Sequence, residues 1–326
     1  MKKFLALVLA LCMVFALAAT AHAEKTYELK LSTTQNENSM IYAGMKAAAD
    51  KIAEDTNGQV KVTIYPSSQL GAEEDMIDQA LQGMNIAVLT DAGRLSSYVS
   101  DMGIMNMAYF VNSYDDGCKV MATDTFASWD EALAEEGLRG LCYNYYDGAR
   151  SFCGHEAWTE PEDLKGVVIR TPGAAPYTKS IEAMGATAYN IAWSEVYNGI
   201  QTKSIDGCEV QFTSLVSSKI YEVCEYVSKT EHINLFNMVV CGETWFQSLP
   251  EDLQEIVKQD FYDCAYESAK QVEAAQADLE QTAIDNGMQI VEVDREAFEE
   301  AAKTAYEELG WTELRAQLYA EAGIEG

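Results

Sequence analysis

The sequence predicts an α/β protein of two lobes. Strand and helix patterns alternate from Tyr27 to Leu89, and the alternation returns between Leu138 and Ile205. A helical pattern then runs on to Asn286 after Ser248-Leu249-Pro250-Glu251, on the order of 50 Å at 1.5 Å per residue; one small lobe cannot cover it, and a helix spanning both lobes or a kink would explain it. At 326 residues the chain is long enough for two domains of roughly 100–200 residues each.

The elements follow in order. Lys2-Lys3, the apolar run Phe4 to Ala19 and Ala21-His22-Ala23 form a secretory leader, with cleavage expected before Glu24. The run is shorter than the ~20 residues a membrane span needs. Tyr27 to Ser32 alternates like a strand. Met40 to Asp55 reads as a helix closed by Asn57-Gly58. Val60 to Tyr65 alternates again and stops at Pro66. Glu73 to Gln82 is a short helix closed by Gly83, and Ile86 to Leu89 is an apolar strand. This order implies parallel crossovers, with ligands bound beyond the carboxyl ends of the strands. Thr34, Glu73, Asp91 and Arg94 fall at or just past such ends.

In the second block, Leu138 to Tyr145 is apolar, Val167 to Arg170 is strand-like and Pro176 to Met184 is helical. Ala188 to Ala192 is a strand, Ser194 to Thr202 a helix with Ser194 as N-cap, and Ile205 opens another strand. Ser248-Leu249-Pro250-Glu251 reads as the capping box of the long helix. Ala297 to Leu309 and Thr312 to Ala322 are terminal helices.

Composition excludes several functions. With 22 basic against 52 acidic residues, the chain repels phosphate backbones, so nucleic acid is not a partner. Apart from Cys12 in the leader there are seven cysteines, an odd number that cannot all pair within the chain, and none forms C-x-x-C. His155 and His232 are the histidines outside the leader, and a structural role is favoured for each. No metal or cofactor is expected, and no nucleotide loop, serine elbow or zinc-protease motif is present.

Against this acidity two arginines stand out, in Tyr145-Tyr146-Asp147-Gly148-Ala149-Arg150 and Val167-Val168-Ile169-Arg170-Thr171-Pro172-Gly173. Each lies where an apolar run meets turn residues. The guanidinium fork matches a carboxylate in two parallel hydrogen bonds, so an anionic ligand is expected.

From Tyr27 to about Leu253 the chain resembles the substrate-binding proteins of TRAP transporters, tripartite importers of organic acids. The resemblance rests on Tyr65-Pro66-Ser67-Ser68-Gln69-Leu70-Gly71, on Glu162-Asp163-Leu164-Lys165-Gly166 leading into Arg170-Thr171-Pro172, and on Trp193-Ser194-Glu195-Val196-Tyr197. Gln201-Thr202, Ile205-Asp206-Gly207, Ser218-Lys219-Ile220-Tyr221 and Ser248-Leu249-Pro250-Glu251 follow at the expected distances. It implies a two-lobed periplasmic-binding-protein architecture with mixed sheets, crossing strands and a long helix spanning both lobes. Lobe I would take residues 24–147 and about 236–275, and lobe II residues 148–235 and about 276–326.

The resemblance implies a periplasmic monomer that closes over a small organic acid and passes it to TRAP membrane permease subunits, without catalysis. Arg170 matches the carboxylate clamp, and Arg150 a second arginine at the same carboxylate. Trp193 matches an aromatic that packs on the ligand. Glu73, Asp91 and Arg94 resemble contacts of sialic-acid-binding members. Those members carry asparagines where this chain has Thr34 and Val210. Val210 therefore favours a ligand with an apolar portion or a smaller acid, with Gln211 a candidate for the lost polar contact. Two other readings share these features: a binding protein for a sensor or another transporter class, and a secreted enzyme acting on carboxylic acids.

Overall fold

The computed structural model describes residues 25–325, so the leader lies outside the described residues. Its strands are β1 (Tyr27–Ser32), β2 (Val60–Tyr65), β3 (Ile86–Asp91), β4 (Leu138–Gly154), β5 (Val168–Thr171), β6 (Thr187–Asn190), β7 (Gly207–Gln211), β8 (Tyr226–Gly242) and β9 (Gln289–Val291). They form one mixed sheet in the order β2-β1-β3-β8-β4-β7-β5-β6, with β9 on β8. Within each outer part the pairs are parallel, as the strand–helix alternation predicts.

The two 17-residue strands, β4 and β8, join these parts. They pair antiparallel along their length, from Leu138 opposite Gly242 to Gly154 opposite Tyr226. Strand β3 takes one end of β8, at Asn237–Cys241, and β7 takes the other end of β4, at Arg150–Gly154. These are the crossing strands that the resemblance implies.

One apolar cluster fills the β1–β3 part, with Leu29, Leu31, Ile41, Met45 and Phe261 fully buried. Two more serve the β5–β7 part, one around Phe152, Ile169, Tyr177 and Phe298, the other around Val196, Ile200, Cys208 and Val210. The helix Glu251–Asp285 runs for 35 residues. It gives Val257, Phe261, Ala265 and Val272 to the first cluster and Ala283 to the third, so it spans both lobes. Burial along most of its length explains how a helix this long stays regular, because tertiary packing supplies most helical stability.

Three local expectations are corrected. The Asp147-Gly148 pair, read as a turn, is a bulge within β4. Gly148 takes the left-handed φ of +98° and the register with β8 shifts between Tyr146 and Gly148. Arg150 therefore sits inside a strand, not at its edge. The helix Trp193–Gln201 has Ala192, not Ser194, at its N-cap, because the Glu195 side chain reaches back to accept from Ala192 N–H at 3.3 Å. Ser248 makes no capping box: its N–H bonds Trp245 in the preceding turn, and Pro250 holds the N-cap position without a side-chain bond.

Candidate binding cleft

A cleft of about 510 Å³ opens between the two parts of the sheet. All of the candidate residues except Val210 line it: Thr34, Glu73, Asp91, Arg94, Arg150, Arg170, Trp193 and Gln211. Val210 lies in the third apolar cluster instead. Successive strand residues point to opposite faces, and on β7 it is Gln211, next to Val210, that lines the cleft. The expectation that Val210 contacts the ligand is corrected by this placement, since its side chain packs in the core.

Arg150 on β4 and Arg170 on β5 flank β7, paired with Gln211 and Cys208 respectively. Their surroundings differ. Arg150 forms a buried ion pair through Nε with Glu209 Oε2, and its Nη2 donates to the Glu209 backbone oxygen at 2.8 Å. Burial works against both charges. Glu209 and Tyr177 outweigh it at Arg150, which is more basic than usual, while burial prevails at Glu209 and pushes that carboxyl up. Behind the pair, His232 stacks on Phe152 with ring centroids 4.6 Å apart, and its Nδ1 bonds Thr230 Oγ1 at 2.8 Å. Burial, with Arg150 and Arg295 nearby, lowers His232 to about 3. The ring is therefore uncharged at neutral pH.

Arg170 makes no ion pair among the described residues. Its Nε donates to the Ile191 carbonyl at 3.0 Å, and its guanidinium lies 5.5 Å from the Trp193 ring centre. Only 2 % of the residue is exposed. Burial, then the charges of Arg150 and Arg94, lower its pKa to about 10, so it stays cationic at neutral pH without a counter-ion. Holding Nε leaves both Nη groups for an end-on, bidentate contact with a carboxylate.

Across the cleft, Arg94 is already surrounded. Its Nη1 meets Asp91 at 2.5 Å, and its Nε meets Glu74 at 2.8 Å and Glu73 at 3.5 Å. Burial disfavours its charge, but Glu73, Asp91 and Glu74 hold it more basic than usual. Asp91 also caps the helix Ala92–Leu95 by accepting from Arg94 N–H. Burial pushes Glu73 up to about 7, against the pull of Arg94, and leaves its Oε1 without a hydrogen-bond partner. This side of the cleft offers acceptors, whereas the Arg170 side offers donors.

The structure adds lining residues that the sequence reading did not single out: Gln35, Ser68, Asn190, Ser214 and Asn237. Asn237 carried a signal, since it is a polar residue inside the continuously buried half of β8. Such a residue needs either a partner or a ligand. Asn237 Nδ2 has no partner among the described residues. Gln35, Ser68 and Ser214 carried none, because polar residues in loops and short helices are ordinary surface. Among the described residues no group of histidines, cysteines or acids could hold a metal, the seven cysteines are all free, and no helix is long and apolar enough to cross a membrane.

Residues 31–311 match the family described as bacterial extracellular solute-binding protein, family 7. The sialic acid-binding periplasmic protein SiaP of Vibrio cholerae is 26% identical over 296 residues, 90% of this chain and 92% of that protein. A TRAP periplasmic solute binding protein from Ochrobacterium anthropi, solved with bound L-fuconate, is 28% identical with a TM-score of 0.88 over 91% of this chain and 99% of that one. Another, from Sulfitobacter with bound β-D-galacturonate, is 26% identical with a TM-score of 0.84 over 91% of this chain and 100% of that one. These proteins bind solutes and are not enzymes. The chain belongs to the family 7 extracellular solute-binding proteins, the binding components of TRAP transporters.

Proposed function

We infer that this protein captures a hydroxylated organic acid, of the aldonate or uronate kind, in the periplasm and delivers it as a monomer to a TRAP permease. The observation that carries this reading is Arg170, a buried cation with a free fork in a cleft whose other two arginines, Arg94 and Arg150, are already paired with carboxylates. The carboxylate would lie on Arg170 with the Trp193 ring alongside. Arg150, largely engaged by Glu209, would contribute field more than a full bidentate contact. Hydroxyls would meet Glu73 Oε1, Asn237 Nδ2, Thr34 and Gln211. A dry, closed cleft strengthens these contacts, because the local dielectric falls.

Two further observations support the reading. The L-fuconate and β-D-galacturonate held by similar proteins are hydroxylated carboxylates. The lobes would part at Asp147–Gly148 on β4 and near Phe236 on β8, where pairing passes from one part of the sheet to the other, leaving the terminal segments divided near residue 275. Closure about these points is hinge binding without covalent chemistry.

A thermal-shift screen tests this. Aldonates and uronates are expected to raise Tm with concentration, as any ligand of the folded state does. A rise with C4-dicarboxylates or aromatic acids alone would overturn the hydroxy-acid assignment.

A further inference from the structure

Asp147 is fully buried and does not line the cleft, yet two residues that do are aimed at it. Its Oδ2 accepts from Gln211 Nε2 and from Gln35 Nε2, the latter at 3.3 Å. Gln35 follows β1 and Gln211 ends β7, so the two amides approach from opposite parts of the sheet. Asp147 itself lies on the crossing strand between them, at the bulge. Its backbone oxygen takes the Thr213 hydroxyl at 2.9 Å, which ties the same point to the helix after β7.

The chemistry of an amide makes this arrangement directional. A glutamine side chain has two N–H donors and one acceptor oxygen, whereas an ionised carboxylate only accepts. Gln211 Nε2 gives its hydrogens to Asp147 and to Ser214 Oγ, the second at 2.9 Å. The flipped amide would set its oxygen against the carboxylate, so the anion excludes it. What Gln211 has left is Oε1, which sits a long 3.5 Å from Arg150 Nη1 and has room for a second donor. We propose that Asp147 is a positioning residue: it fixes Gln211 as a hydrogen-bond acceptor toward the cleft, so that the Arg150 side takes a hydroxyl of the solute. This rests on the hydroxy-acid reading above.

The arrangement is sensitive to pH. Arg150 and Tyr146 of β4 are the titratable groups facing Asp147. Gln211, Thr213, Asn237 and Gln35, from β7, the following helix, β8 and the loop after β1, are neutral. Burial pushes the Asp147 carboxyl up to about 6, against the pull of Thr213, Gln211, Arg150 and Asn237. Once protonated it is no longer an acceptor only, and the constraint on the Gln211 amide is released.

The test reads the amide directly. Protein labelled with ¹⁵N-glutamine is titrated by NMR without ligand, the Gln211 side-chain signals being identified by their loss in Gln211→Leu. These signals are expected to move with a midpoint near the Asp147 value of about 6, and to stay still in Asp147→Asn. Signals that do not move in the wild type, or that move equally in Asp147→Asn, overturn the proposal. The wild-type titration stands even if that variant fails to fold. Calorimetry with L-fuconate gives the second readout. Asp147→Asn is expected to bind about tenfold more weakly at neutral pH, one mispaired buried group being enough. Wild-type affinity should fall on acidification more steeply than that of the variant. Equal affinity and equal pH profiles would sink the idea. Failure of the wild type to bind L-fuconate or any hydroxy acid counts against the hydroxy-acid reading instead, and the amide titration still decides the role of Asp147.

Discussion

Glu209 holds the guanidinium of Arg150 in an ion pair that is closed to solvent, through its side chain and its backbone oxygen together. The two cleft arginines on either side of β7 are therefore unequal, and Arg170 alone is left facing the cavity without a carboxylate. A buried pair that loses one member leaves an uncompensated charge. Glu209→Gln is expected to cost about 3–5 kcal/mol in urea unfolding. Replacing both residues with apolar ones, Arg150→Met with Glu209→Leu, should cost less than either single change. Additive losses would show that the pair is not coupled.

Arg170 pulls stability and function in opposite directions. Its pKa is lowered to about 10, so keeping it charged works against folding at neutral pH. Arg170→Met is expected to raise the Tm of the ligand-free protein, by on the order of 2 kcal/mol of stability. The same change should abolish binding of the carboxylate by calorimetry, a loss of about a hundredfold or more. A variant that keeps its affinity would remove Arg170 from the clamp.

Glu73 sets a pH dependence of stability. Its folded pKa, about 7, lies above the usual 4.5, so the folded state prefers the proton. The stability this contributes is fully present below the unfolded value and is lost as pH rises through about 7. His232 acts the other way. Held at about 3, it takes up its proton more readily when unfolded and weakens the fold as pH falls below its ordinary value. Glu73→Gln is therefore expected to be more stable than the wild type at pH 8, with the difference vanishing toward pH 4.5. Parallel Tm curves for the two proteins would contradict the assignment.

Gly148 marks the bulge within β4, one of the two long strands that join the two parts of the sheet. A Cβ there would lie 3.2 Å from Gln276 Nε2 on the long helix, and the φ of +98° is one that other residues rarely adopt. Gly148→Ala should destabilise by about 1–3 kcal/mol in thermal unfolding. Gly173→Ala is the control, since its added Cβ meets nothing within 4 Å. Equal effects at the two sites would mean that the bulge geometry is not required.

Much of the fold was legible because periodicity is local. Tyr27–Ser32, Met40–Asp55 and Val60–Tyr65 were read with the bounds they have, and the length of the helix ending at Asp285 already pointed to a span across both lobes or to a kink. The cleft residues of the first lobe were legible for a related reason: in a parallel sheet they cluster at strand ends, which the sequence marks with turns. The second lobe resisted where the chain broke that rule. Asp147-Gly148 looks like a turn, and only pairing with β8 makes it a bulge inside a 17-residue strand.

By itself the sequence determined the α/β class, the acidic composition and the family resemblance, and it raised the expectation that two arginines meet an organic acid. Only the tertiary structure decided which side chains line the cleft. Strand alternation turns Val210 into the core and Gln211 into the cleft, and contact across β4, β7 and β8 gives Arg150 to Glu209 while leaving Arg170 free. The physical reason is that propensity and spacing act along the chain. The partner of a buried charge is set by residues tens of positions away, which meet only when the sheet is complete.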